Sequence, residues 1–239
     1  MIDAHVHLDF MANGEEVAAE AAAAGVRLLA ATVTPSGFVE ARERFGSFEN
    51  VTVGLGLHPW WVERASDADA LLELLGETDF VSEIGLDFGK RHQATREAQE
   101  LAFSRIAGAC AESGEKTLSL HAVHAASEVL DILQETGALE SCTCIFHWFS
   151  GPSDQLKRAI DAGCLFSVGE RMLATGKGRE YVRAIPADRM MSETDAPAQQ
   201  GQTCSFAELQ ASLARVEETI ARIKSQGKRP NASPKRQRK

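Results

Sequence analysis

The feature that most constrains the fold is a repeated alternation. Short apolar runs, rich in β-branched or aromatic residues, are each followed by a longer segment of helical composition. The runs cover residues 2–6, 26–33, 51–57, 80–84, 117–121, 142–147, 163–168 and 189–193. Between them lie EEVAAEAAAA, SGFVEARERF, DADALLELLG, ATREAQELAFSRIAGACAES, AASEVLDILQETG, SDQLKRAIDAG and GKGREYVRAI, and FAELQASLARVEETIARIKS closes the series. Gly25, Gly114, Gly137 and Gly163 stand where helix C-caps are needed, just before the next strand. Short connections between alternating strands and helices build a parallel sheet. Eight such units in about 225 residues predict an α/β fold of the (β/α)8 TIM barrel type. A doubly wound open sheet is the competitor, but no glycine-rich phosphate loop follows the first strand.

Composition supports one large domain over residues 1–223 followed by a tail. The net charge of −9 is uneven: residues 224–239 carry +7 and no acid, which leaves the body at −16. The segment SQGKRPNASPKRQRK lacks apolar periodicity, so 224–239 reads as a disordered basic tail. It is either an electrostatic hold on a polyanion or a solvated end. An acidic body argues against a broad DNA-binding face, so a nucleic acid would have to be gripped locally. The five cysteines include no C-x-x-C pair. With no secretory leader pattern and no apolar run of about 20 residues, this points to a reducing cytoplasm and to no membrane span.

In a barrel, chemistry gathers at the C-terminal ends of the strands. Of seven histidines, five fall at such ends: His5, His7, His58, His121 and His147. Glu83 and Asp87 follow strand 4, and Glu193 and Asp195 follow strand 8. His5 and His7, one residue apart, share a strand face. Four histidines with two carboxylates form a nitrogen and oxygen donor set suited to Zn²⁺, Mn²⁺ or a similar ion, and large enough for two. Such a pair stabilises both the attacking and the leaving oxygen of a hydrolytic displacement and acidifies water. Asp195 can be a ligand and also accept the water's proton. His58, before Pro59, is a phosphate contact or a loop cap. Glu193 faces substrate or accepts a local hydrogen bond. Trp60 and Trp61 are a base-stacking surface or buried packing. Asp87 is expected to order its loop, and His92 and His124 to lie on the surface.

The motifs IDAHVHLD, GLHPW, SEIGLDF, a strand-5 LH, HWFSG and ETDAP occur in the order seen in the TatD family of metal-dependent deoxyribonucleases, which residues 2 to 197 resemble. The resemblance implies a TIM barrel of the metal-dependent hydrolase superfamily, two divalent ions (Mg, Mn or Zn) and phosphodiester hydrolysis, often from a 3′ end of single-stranded DNA. By position, His5 and His7 match the first-metal pair, Glu83 the bridging carboxylate, His121 and His147 the second-metal histidines, and Asp195 the final aspartate. His58 and Glu193 match further active-site positions, counted with Asp195 as catalytic. TVTPS, HWFSG and FSVGERML look more narrowly like the TatD-like component of the Qat anti-phage defence system. That likeness implies antiviral action beside an ATPase, a QueC-like protein and a further small subunit.

Two departures stand out. Many family members read H-x-R-D-A after strand 5, where this chain has His121-Ala122-Val123-His124-Ala125 and no arginine. After ETDAP the usual tyrosine and the asparagine-containing helix motif give way to AQQGQTCS and the tail. The alternatives are an amidohydrolase-type C–N hydrolase or a docking subunit whose metal is structural. Many of the former use a carbamylated lysine after strand 4, where this chain has Glu83 and Lys90 lies too far along. Deletion of residues 225–239 is expected to weaken binding of DNA or of those partner proteins without changing metal content. Unchanged binding at low salt would reduce the tail to a solvated end.

Overall fold

The computed structural model describes residues 1–226; the rest of the expected basic tail, 227–239, lies outside the described residues. The strands are β1 Ile2–Val6, β2 Arg27–Ala30, β3 Val51–Val53, β4 Leu55–Gly56, β5 Phe80–Asp87, β6 Thr117–Val123, β7 Thr143–His147, β8 Leu165–Val168 and β9 Met190–Ser192. The α-helices are α1 Gly14–Ala23, α2 Pro35–Phe45, α3 Asp69–Leu74, α4 Arg96–Ser113 and α5 Ala126–Glu135. They continue with α6 Ala138–Ser141, α7 Ser153–Asp161, α8 Glu170–Leu173, α9 Gly176–Ala184 and α10 Phe206–Gln226.

All strand pairings are parallel and follow chain order. β3 and β4 are two halves of one barrel strand: β3 pairs with β2 and β4 with β5. The ring closes between β9 and β1, where Asp195 N–H donates to the His5 carbonyl (2.9 Å) and His7 N–H to the Ala196 carbonyl (2.8 Å). The eight-stranded barrel anticipated from the alternation is therefore present, with its helices outside.

The run expected at 51–57 is interrupted at Gly54, where a side chain would collide with Ser82 and Phe80. The Thr32 hydroxyl spans the break, donating to the Gly54 carbonyl (2.7 Å) and accepting from Gly56 N–H (3.2 Å). The runs expected at 80–84 and 117–121 continue to Asp87 and Val123, because the two strands stay paired that far. Gly25, Gly114, Gly137 and Gly163 all hold positive φ, as helix-ending glycines do. Gly137 leads into the short α6 rather than directly into a strand. At the far end α10 takes in Lys224, the first residue of the expected tail, whose ammonium donates to the carbonyls of Arg183 and Ile185.

The core fills the barrel and the layer beneath its helices. Near β7 and β8 it is aromatic: Phe146, Phe149, Phe166 and Tyr181 meet at ring distances of 5.4–6.1 Å, mostly edge to face. Such pairs stabilise beyond their burial. Phe166→Ala is expected to cost about 3–5 kcal/mol in a urea titration, since it opens a cavity that the surrounding strands cannot collapse into. A loss below about 1 kcal/mol would show that this layer is not rigid.

Candidate metal centre

Bends in two strands set the site's geometry. The ladder slips between Asp3 and Val6 in β1 and between Val81 and Ile84 in β5. His5 and Glu83 lie inside these irregularities, which re-aim a side chain as bulges do. Glu83, Trp148 and Asp195 all hold positive φ (53°, 39° and 51°), a conformation that costs energy for residues with a side chain and clusters at functional sites. Gly85 beside them is required: at φ 131° any Cβ would run into the backbone of His121.

Glu83 is buried at the centre of the resulting mouth. His5 Nε2 lies 3.1 Å from its Oε1, His58 Nε2 3.2 Å from its Oε2 and His147 Nε2 3.8 Å from its Oε1. His7 Nε2 stands 3.7 Å from Asp195 Oδ1. Three sets of potential ligand atoms lie within 4.8 Å: His5, His7 and Glu83; His58, Glu83 and His121; His5, His147 and Asp195. The resemblance pairs His121 with His147. Here His121 groups with Glu83, while His147 stacks on His5 at a ring distance of 3.8 Å, and Glu83 reaches toward both.

For His7, His121 and His147 the outer partners fix the tautomers of the neutral rings. His7 Nδ1 donates to the Ala31 carbonyl (3.1 Å) and His147 Nδ1 to Glu193 (2.8 Å). Both acceptors can only accept, so in each ring, when neutral, Nε2 keeps the lone pair. His5 Nδ1 meets the Ser119 hydroxyl at 3.2 Å. His121 Nε2 faces Asp87 Oδ2 at 3.2 Å, which leaves the lone pair on its other nitrogen. His58 is reversed: its Nδ1 accepts from Trp60 N–H (3.1 Å), so the neutral ring carries its proton on Nε2, facing Glu83. His58 is thus built to donate a hydrogen bond into the mouth, and its tautomer opposes ligation there.

Divalent cations fit this donor set. His5 Nε2 is fully buried and has no hydrogen-bond partner of acceptable geometry, although Glu83 is close by. A ring nitrogen sealed from water beside a carboxylate, with no hydrogen bond of good geometry, is costly unless something positive sits between the two. Electrostatics agree with that reading. Burial, reinforced by His147, lowers the His5 pKa, and burial with His121 and His7 pulls His58 down to about 3 against the pull of Glu83. Burial alone would raise Glu83, but His58, His5 and His121 hold it well below the usual carboxylate range. His147 goes the other way: burial would lower it, yet the Glu193 carboxylate raises it well above 6.5.

Several residues take roles that sequence reasoning left open or missed. Glu193 is buried and orients His147. Asp87 does order its loop, accepting from Gly89 N–H (2.7 Å), but it also holds His121 and Trp60 Nε1 (2.6 Å). Buried packing of the tryptophans is ruled out by their exposure, 57% for Trp60 and 60% for Trp61. His92, half-buried, stacks on the exposed Trp60 at 5.0 Å. Asp3, Ser119 and Arg171 had no signal of their own. Asp3 accepts from Thr194 N–H and its hydroxyl (3.0 and 2.6 Å), and Arg171 Nη1 lies 3.2 Å from Asp195 Oδ2. The mouth opens into a cavity of about 650 Å³ lined by His7, His58, Trp60, Trp61, Glu83, His121, His147, Trp148 and Asp195, among others.

Known proteins bear on this geometry. Residues 2–230 match the family model described as TatD related DNase. A metal-dependent hydrolase named TatD in Mycobacterium tuberculosis (strain ATCC 25618 / H37Rv), described as uncharacterized, is 32% identical over 216 residues, covering 82% of this chain and 80% of its own. The 3′-5′ ssDNA/RNA exonuclease TatD of Klebsiella pneumoniae (strain 342) is 30% identical over 210 residues, covering 82% and 78%. Among solved structures, YJJV, a TatD homolog from Escherichia coli K12, superposes with a TM-score of 0.74 at 23% identity over 95% of each chain.

In chelator-treated protein the two shifted histidines act in opposite directions. The contribution of His147 is complete below its unfolded pKa near 6.5 and is lost as pH rises toward its elevated folded value. The contribution of His58 is complete above 6.5 and is lost as pH falls toward 3. The melting temperature without metal is therefore expected to peak near neutrality, and Glu193→Gln to flatten the alkaline decline. An alkaline decline that Glu193→Gln leaves unchanged would refute this assignment.

Proposed function

This chain belongs to the TatD related DNase family and is a metal-dependent hydrolase; on that premise we propose that it hydrolyses phosphodiester bonds of single-stranded DNA, from the 3′ end, with two divalent ions. The observation that carries this reading is the convergence on buried Glu83 of imidazoles whose outer nitrogens are already engaged. His5, His7, Glu83 and Asp195 would hold one ion, and Glu83, His121 and His147 the other. Bound there, Mg²⁺, Mn²⁺ or Zn²⁺ supplies Lewis-acid polarisation of the phosphate and acidifies water near it.

The chain's own residues do the rest. Asp195 Oδ1 faces the cavity side of His7 and accepts the proton of the attacking water. His58, neutral and with its proton on Nε2, donates a hydrogen bond to a phosphate oxygen and does not serve as a proton source. Ser119, the Ala31 carbonyl and Glu193 hold the ligand rings so that little reorganisation is left for the reaction. Trp60 and Trp61 offer exposed ring faces at the rim for unpaired bases. The carboxylate after strand 4 favours this reading over a C–N hydrolase with a modified lysine, and no lysine lines the cavity among the described residues. A role in anti-phage defence beside an ATPase and a QueC-like protein is supported by the sequence likeness of FSVGERML and its companion motifs.

With Mg²⁺ or Mn²⁺, the purified protein is expected to shorten 5′-labelled single-stranded DNA stepwise. Glu83→Ala or Asp195→Asn should abolish this, and Glu193→Gln should weaken metal affinity by about 10–100-fold. Absence of cleavage across several divalent metals, on both DNA and RNA, would overturn the reading.

A further inference from the structure

The mouth lacks an obvious counterion for a nucleic-acid backbone. The body is strongly acidic, and neither lysine nor arginine lines the main cavity among the described residues. Divalent ions at the centre would serve the scissile phosphate, but a neighbouring phosphate of the same strand needs a fixed cation of its own. One stands at the rim. Arg171, on the short helix α8, places Nη1 3.2 Å from Asp195 Oδ2, and 51% of its side chain is exposed. No other hydrogen bond of its guanidinium occurs among the described residues, so most of its five donors are free.

Arg171 does not reach the rim by chance of a floppy loop. Its neighbour Glu170 is gripped from α10 by Arg215 (2.6 and 3.2 Å) and by the Ser212 hydroxyl (2.9 Å), while Met172 and Leu173 are buried. Its guanidinium carbon lies 5.7 Å from the centre of the Trp148 ring. Trp148 is itself anomalous. It follows His147, precedes the buried Phe149, and holds φ 39°, yet 37% of it is exposed and it lines the cavity. A bulky residue kept in a strained backbone conformation, with its ring turned to the cavity instead of the core, is the kind of outlier that clusters at functional sites. An indole beside a guanidinium presents a flat apolar face next to a planar fork of donors, which is the chemistry that takes one base and one phosphate together.

We propose that Arg171 and Trp148 form a clamp for one nucleotide of a single-stranded substrate, the guanidinium taking a backbone phosphate and the indole stacking on a base. The clamp rests on the nuclease reading above and deepens it. It also gives this chain a phosphate contact from the segment after β8, four strands along the sheet from β4, which Trp60 and Trp61 follow.

The test uses the full chain and a fluorescein-labelled single-stranded deoxyoligonucleotide. Affinity is read as Kd in EDTA and as KM with Mn²⁺, each across a KCl series. Arg171→Ala is expected to weaken affinity about tenfold or more and to lower the slope of log affinity against log salt by about 0.7, the value for one phosphate contact on a single strand. Arg171→Lys should keep the slope while losing part of the affinity, because a point charge replaces a planar fork. Trp148→Ala should weaken binding by about fivefold or more at every salt concentration and leave the slope unchanged. A merely structural role for Arg171 would not move the slope. If the wild type binds or cuts the oligonucleotide but Arg171→Ala keeps the full slope, the clamp is overturned and the nuclease reading survives. If the wild type neither binds nor cuts it, both fall. Should Arg171→Ala fail to fold, Arg171→Lys and Trp148→Ala still decide the matter: full wild-type affinity in both overturns the clamp.

Discussion

A carboxylate buried in a protein interior must be surrounded by donors or cations, and the mouth of this barrel is organised around that requirement at Glu83. The residue is almost entirely removed from water, yet its pKa is held down rather than raised. Imidazoles from the ends of β1, β7 and the loop after β4 face it. The stacked His5 and His147 rings, with the orphaned His5 Nε2 between them and the carboxylate, are the arrangement of a centre completed by positive charge.

The same segments that supply the candidate ligands also close the barrel. Asp195 N–H bonds the His5 carbonyl, and Asp3 bonds both Thr194 groups and accepts from His5 N–H at 3.3 Å. Burial pushes Asp3 up to about 7 despite those hydrogen bonds. Fold and site are coupled at this seam: the last strand cannot shift register against the first without moving Asp195 away from His7. Outside the imidazoles lies a ring of polar partners: the Ala31 carbonyl, Asp87 and Glu193 select a tautomer for His7, His121 and His147, and the Ser119 hydroxyl meets His5. The difference between His58 and the other rings is decided at this outer layer, by one backbone N–H of Trp60.

Much of this was legible in the chain because the signals are local. Strand and helix periodicities repeat every few residues, positive-φ glycines mark helix ends, and a barrel's chemistry is known to sit at strand ends, so His5, His7, Glu83, His121, His147 and Asp195 could be gathered without coordinates. The break at Gly54 was not legible, because it arises from side chains of Phe80 and Ser82 that approach from the neighbouring strand. Nor was the exposure of Trp60, which depends on Asp87, twenty-seven positions away, holding its indole nitrogen.

The sequence by itself determined the order of strands and helices and the chemical nature of the donor set, since both follow from which residue types recur at which spacing. Only the tertiary structure decided which nitrogen of His7, His121 and His147 faces an acceptor, that His58 Nδ1 accepts from the Trp60 backbone, and that Arg171 and Trp148 stand together beside Asp195. The reason is physical: a tautomer, a strained backbone angle or a guanidinium's neighbour is set by atoms brought close in space from distant parts of the chain, and no local pattern carries that information.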